Sequence, residues 1–487
     1  MKRFFLATSV MALAACSTMQ PAYERPAAPV AGEFPTGPAY KAAPGGSPAV
    51  DIGWRDFLAD PHLQRLVEAA LKNNRDLRVA VLNVAQVQAQ YRIQRAALLP
   101  QVSGFADASH SRTPGSLTQS GSPLVTHAYE AGVSAAWEID FFGRLRSLSD
   151  AALEQYFATA YARQAAEILL VSQVADQYLT MLALDEQLAV TRQTLETAQA
   201  SYKIVKLQFD TGTAPELTLR QAESVVEQAN ATNAALVRAR AQAENGLVLL
   251  VGQPLPADLP APLPMGEEKI LADIPAGLPS DLLTRRPDIL QAEAMLRSEN
   301  ANIGAARAAF FPRISLTGSL GTASATLGGL FGAGSTAWSF LPSITVPIFE
   351  GGALQANLDA AKIRKDIGIA QYEKAIQVAF REVADGLAAR GTYDEQLASQ
   401  ERFTASQQRS LELSDFRYRN GADTYLNVLI AQTALYNAQL TLVSTRLQRL
   451  TSLVDLYRSL GGGWIEHTGE QPRPADEGAA ATKPTAG

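Results

Sequence analysis

From Arg144 to Phe209 the chain carries neither proline nor glycine, and Ala, Leu, Gln and Glu dominate. Good helix formers without a breaker predict one continuous helix, which at 1.5 Å per residue is on the order of 100 Å long. Ala353 to Arg419 predicts a second helix of the same length, interrupted only by single glycines. Rods of this kind are stable only when a stripe of each is buried against other helices. Leu426, Leu429, Thr433, Tyr436, Leu440, Val443, Leu447, Leu450, Val454 and Tyr457 alternate steps of three and four and read as a coiled-coil seam. Val174, Tyr178, Met181, Leu188 and Leu195 keep that spacing in the first half, with Asp185 and Arg192 as polar interruptions. An ordinary antiparallel bundle would give the same heptads.

A different period appears before each long helix. In Tyr129 to Ile139 the odd positions are apolar and the even ones polar or small, and Ile314–Leu320 and Trp338–Val346 alternate likewise, with Leu341 breaking the polar set. Period two predicts strands with two chemically distinct faces. The stretch from Val102 to His110 carries the weakest pattern.

These elements occur twice. Arg75-Asp76-Leu77 through Leu99-Pro100-Gln101-Val102-Ser103 matches Pro287-Asp288-Ile289 through Phe311-Pro312-Arg313-Ile314-Ser315 at an offset of 212 (288 − 76). Phe209-Asp210-Thr211-Gly212 matches Tyr418-Arg419-Asn420-Gly421 at 209 (421 − 212). Ordered matches at nearly one offset predict a duplicated unit. Each copy reads as short helix, two strands, long helix, glycine turn and shorter helix. The copies are expected at 54–252 and 281–463, joined by a Pro-rich linker at 253–280.

The ends place the chain. Met1-Lys2-Arg3 and the apolar run Phe4 to Leu13 form a basic and a hydrophobic region of secretory type, so 1–15 is read as a signal peptide. That run is too short to span roughly 30 Å of hydrocarbon, which needs about 20 apolar residues. Cys16, the only cysteine, follows Leu13-Ala14-Ala15 as in a lipobox, so the expectation is a covalent lipid there, diacylglycerol and an N-acyl chain. Ser17 favours the outer membrane. The segment 16–53 is read as lipidated N-terminus and linker, with Pro21–Pro48 as a tether burying little, and 464–487 as a disordered tail.

Composition mostly excludes. A single cysteine permits no internal disulfide, and a net charge of −6 argues against nucleic acid as a partner. His62, His110, His127 and His467 show no metal-ligand spacing, and no phosphate-binding loop or nucleophile–base pair is present, so neither catalytic residues, a metal nor any other cofactor is expected. A secreted chain with alternating strands, interfacial aromatics such as Tyr129, Trp137, Trp338 and Phe340, and no spanning helix fits a barrel wall. Four strands cannot close in a bilayer, because open edges leave backbone groups unpaired there. Three chains would supply about twelve strands, between small filled barrels and porins.

Leu13-Ala14-Ala15-Cys16, Trp54-Arg55-Asp56-Phe57, Arg285-Arg286-Pro287-Asp288-Ile289, Ala309-Phe310-Phe311-Pro312, Phe349-Glu350-Gly351-Gly352 and Tyr418 through Leu426 resemble the TolC/OprM-like outer-membrane factors, in particular their lipoprotein (NodT-type) branch. The resemblance spans roughly Trp54 to Gly463. It implies an α+β membrane protein: a homotrimer with a twelve-stranded β-barrel in the outer membrane, four strands per protomer, and a long α-helical coiled-coil barrel in the periplasm. It further implies a passive exit duct of a tripartite efflux system, meeting a periplasmic adaptor (membrane fusion) protein and an inner-membrane pump, usually of the proton-driven RND type. In that family the helical hairpin tips close the tunnel. The matching residues are Asp210, Gly212 and Glu216 at the first tip and Tyr418, Arg419, Gly421 and Asp423 at the second. Where relatives often carry Asp in the following turn, this chain has Asn427 and Ile430, which leaves the usual acidic ring open. Rival readings are a peripheral coiled-coil lipoprotein, a type I secretion duct, and a soluble periplasmic enzyme, for which no site is found.

Overall fold

The computed structural model describes residues 18–40, 48–267, 269–271, 274–275, 277 and 279–470. The signal segment, Cys16 and residues 471–487 lie outside them, whereas 464–470, expected as the start of a disordered tail, are held: the Ile465 carbonyl accepts from the Trp54 amide (2.9 Å) and the Thr468 amide donates to Asp56 (2.8 Å). The helices are α1 Trp54–Phe57, α2 Pro61–Asn73, α3 Arg75–Ala96, α4 Arg144–Asp210, α5 Glu216–Val251, α6 Pro279–Arg285, α7 Pro287–Ala308, α8 Ala353–Arg419 and α9 Tyr425–Ser459. The strands are β1 Gln101–Thr113, β2 Leu124–Ile139, β3 Arg313–Ser324 and β4 Thr336–Thr345. Helix, two strands, long helix and closing helix thus recur, and α4 and α8 are each 67 residues long. Among the described residues no helix is long and apolar enough to cross a membrane.

Two compact units form. The first takes 18–27, 83–160 and 291–373 and contains the sheet, an antiparallel meander in the order β1-β2-β3-β4. Although the sequence signal of β1 is weak, all thirteen of its residues pair with β2, from Gln101↔Ala136 to Thr113↔Leu124. Residues 18–25, expected as part of the lipidated N-terminus and tether, are mostly half-buried and fixed to this unit. Gln20 donates to Asp150 (2.8 Å), and the Pro21 carbonyl accepts from Asn300 (2.8 Å). Arg25 makes two bonds to the buried Glu293 (3.0 and 2.9 Å), which also accepts from Arg297 (2.8 Å) and the Tyr23 hydroxyl (3.2 Å). Burial alone would raise the Glu293 carboxyl, but these donors outweigh it and hold the group below the usual range.

The second unit takes 28–82, 161–290 and 374–470. Asn74 separates α2 from α3: its Oδ1 caps α3 through the Leu77 amide (2.8 Å), and its Nδ2 donates to the Leu250 carbonyl at the end of α5 (2.8 Å). The same link recurs one repeat later between other residue types, where buried Arg286 donates to the Ser459 carbonyl at the end of α9 (2.8 Å) while holding Asp288 and Glu382. The offsets, 212 (286 − 74) and 209 (459 − 250), are those of the sequence repeat. Nearby, Tyr457 stacks on Phe57 at 3.9 Å between centroids and donates to the Ile52 carbonyl (2.6 Å).

The seam expected along α9 is corrected in its tip-side half. Leu429, Val443, Leu450, Val454 and Tyr457 are buried, but Leu426 is 44% exposed and Thr433 is exposed. The line that packs there is Tyr425, Val428, Gln432, Leu435 and Ala438. The line facing the neighbouring hairpin is buried within the chain, and the expected line is only partly covered there, at Leu429.

Candidate functional site: a two-faced sheet and paired hairpin tips

The register resolves the sheet into two surfaces. Val102, Val133, Trp137, Leu316, Leu320, Trp338, Phe340 and Ile344 share one face, because Val133 pairs with Leu320 and Leu320 with Trp338, and the others lie an even number of residues away along paired strands. Among the described residues little covers them: Leu320 is 58%, Trp338 75% and Ile344 67% exposed. The opposite face is hydroxylic. Ser103, Ser134, Ser319 and Ser339 stand in one row across all four strands, bonded in pairs at 2.9 and 2.7 Å. Asp107 and Glu130 oppose each other on that face. β1 and β4 are edges whose outer backbone groups meet no further strand among the described residues. A sheet that is apolar outside, polar inside and open at both edges suits the wall of a lipid-embedded duct.

At the base of the sheet the chain returns to helix through Phe141-Phe142-Gly143. Asp140 caps α4 through the Leu145 and Arg146 amides (3.0 and 2.8 Å). Gly143 has φ +73°, and a β-carbon on it would lie 2.8 Å from the Thr18 Cα. Thr18 is therefore seated against the turn between β2 and α4.

Both hairpin tips, in the second unit, are built alike. Gly212 (φ +73°) and Gly421 (φ +70°) supply the left-handed residue that ends each long helix. Gly212 N donates to the Phe209 carbonyl (2.9 Å) and Thr213 N to Gln208 (2.8 Å), while Gly421 N donates to Tyr418 (2.9 Å) and Ala422 N to Arg417 (2.9 Å). Each is a Schellman closure. The hairpins meet over Val205, Leu219, Ala222, Tyr425, Val428 and Leu429, with Tyr418 packed on the cluster. The Tyr418 hydroxyl donates to Gln208 Oε1 of the other tip (3.4 Å), and its ring lies 5.2 Å from that of Tyr425.

The charged residues singled out at the tips are not brought together. Asp210 pairs with Lys206 (3.4 Å), Glu216 with Arg220 (3.3 Å) and Arg419 with Asp415 (2.9 Å), each along its own helix. Asp423 alone is elaborately held: it accepts from the Thr424 amide (2.8 Å), Asn427 Nδ2 (2.6 Å) and Arg417 Nε (3.1 Å), and these donors keep its carboxyl below the usual carboxylate range. Arg417 and Gln208 are residues that sequence reasoning missed, and Asn427, noted there only as a departure from the usual Asp, is a donor to Asp423. Arg417 stands six residues before Asp423, outside the helical i,i+4 spacing, and only the turn brings the two together.

The sequence profile of the outer membrane efflux protein family matches residues 66–253 and 278–462. The probable efflux pump outer membrane protein TtgC of Pseudomonas putida is 47% identical over 473 residues, covering 96% of this chain and 97% of that protein. Outer membrane protein OprJ of Pseudomonas aeruginosa is 44% identical over 457 residues, covering 94% and 95%. Among solved structures, the open state of the Neisseria gonorrhoeae MtrE outer membrane channel superposes with a TM-score of 0.84 at 40% identity, over 93% of this chain and 100% of that one.

Proposed function

Because the chain belongs to the outer membrane efflux protein family, we propose that it is the passive exit duct of a tripartite efflux system, carrying drugs or other small molecules from a periplasmic adaptor and an RND-type inner-membrane pump to the exterior. The observation that carries this reading is the four-stranded meander with an uncovered apolar face, a serine-lined face and two free edges. In lipid such edges must be paired, and the simplest closure is β4 of one copy against β1 of the next. Three copies give a wall of about twelve strands with the hydroxyl rows turned to the lumen. Cys16, two residues ahead of the docked Thr18, carries the covalent lipid in this reading. The tips around Gly212 and Gly421 form the closable periplasmic end, and energy comes from the pump.

The test is the assembly. Material extracted from membranes in mild detergent is expected to run as an SDS-resistant trimer that heating collapses to a monomer, and to conduct ions across planar bilayers. A monomer without conductance would overturn the reading, as would a peripheral protein removed from membranes by alkaline carbonate.

A further inference from the structure

We propose that His110 and His127 form a two-imidazole site for a divalent transition-metal ion, of the copper, nickel or zinc class, on the outward face of the β1–β2 hairpin. The two residues are seventeen positions apart and show no ligand spacing in the sequence, yet the antiparallel register sets them directly opposite each other. Their rings stand 4.7 Å apart between centroids at 70°, and the two Nδ1 atoms face each other in direct contact. Two adjacent imidazole nitrogens, both on exposed residues, are the donor type that borderline divalent ions select.

The hairpin is preorganised for this. On the opposite face the next rung is fixed by a bond between the Ser111 and Thr126 hydroxyls (2.7 Å), so neither strand slips. Beyond it the connecting loop is closed by Thr118 Oγ1 donating to the Ser122 carbonyl (2.7 Å). Gly115 packs so tightly there that a β-carbon would come 2.4 Å from the Gly121 carbonyl oxygen. Tyr129 sets its ring edge-on to His110 at 5.4 Å and 80°, limiting rotation of that imidazole. By register parity the pair lies on the same face as Val133 and Trp137, at the loop end of the strands. The ion is therefore met from outside the sheet, with water completing its coordination. Among the described residues no group of three or more His, Cys, Asp or Glu could hold a metal, so the site is a bis-imidazole one and does not depend on the duct reading.

The experiment titrates the intact full-length protein in detergent with Cu²⁺, Ni²⁺ and Zn²⁺ salts. The expected result is one ion per chain, with Cu²⁺ bound more tightly than Ni²⁺ or Zn²⁺ as the general stability order requires. The Cu²⁺ spin resonance spectrum should carry hyperfine structure from two nitrogens, a readout that needs no variant. His110→Ala and His127→Ala should each weaken binding by at least about tenfold, and His467→Ala should leave it unchanged. Binding that survives both single variants, that follows His467, or that shows fewer than two coordinated nitrogens in the parent protein would overturn the proposal.

Discussion

Asp423 illustrates how a single carboxylate can be committed locally. Three donors of its own turn hold it, and as an exposed ion pair Arg417–Asp423 contributes little to global stability. Its importance lies in the shape of the tip. Asp423→Ala frees Arg417 and Asn427 together and is expected to loosen the closed end, raising single-channel conductance and sensitivity to large antibiotics; unchanged conductance and sensitivity would remove Asp423 from the gate. Asp176 on α4 presents the opposite case. Its Oδ1 is buried without a hydrogen-bond partner, and burial, reinforced by Asp455 and only partly offset by Arg458, pushes the carboxyl from 3.8 up to about 7. The native state holds this proton more tightly than the unfolded chain does. Its contribution to stability therefore falls as pH rises from about 4 to about 7, by roughly 4 kcal/mol at most, and is level on either side. Asp176→Asn should remove that slope, and thermal unfolding followed across this pH range checks it.

At the scale of elements, period-two alternation made β2, β3 and β4 legible in the sequence, and β1 only weakly. The prediction at this scale comes from adjacent residues on opposite faces. Trp338→Arg places a charge on the apolar face, which costs up to roughly 2–4 kcal/mol at the bilayer midplane and less towards the interfaces. Ser339→Arg places the same charge among the hydroxyls and should cost far less. The temperature at which the SDS-resistant assembly dissociates ought to drop for the first and hold for the second; equal drops would mean that the face assignment is wrong. The helices were legible to within a residue at Arg144–Asp210 and Ala353–Arg419, because the first holds no glycine or proline and the second only single glycines. The α2–α3 break at Asn74 was not, since Asn in a helical run is only a weak interruption, and its role as cap depends on the distant Leu250 carbonyl. The seam of α9 was half legible for a related reason. Heptad spacing counts apolar positions but does not say which line its own chain covers.

For the whole molecule, duplication was the most readable property, and the chemistry that varies between copies the least. Asn74 and Arg286 reach the ends of their closing helices through an amide in one repeat and a guanidinium in the other, so a residue-by-residue match of the copies misses a contact they share. The tip turns, whose glycines are fixed by backbone conformation, do align. His110 and His127 were invisible as a pair, because a hairpin register is set by its turn and loop length. The position of Thr18 against Gly143 also bears on how the protein meets the lipid. Two residues of backbone reach at most about 7 Å, so in the proposed lipidated protein the acyl chains would enter the bilayer within about that distance of the turn between β2 and α4. Each subunit would then bring a fixed lipid to the inner rim of the assembly, and the bilayer next to the wall would be partly furnished by the protein's own chemistry.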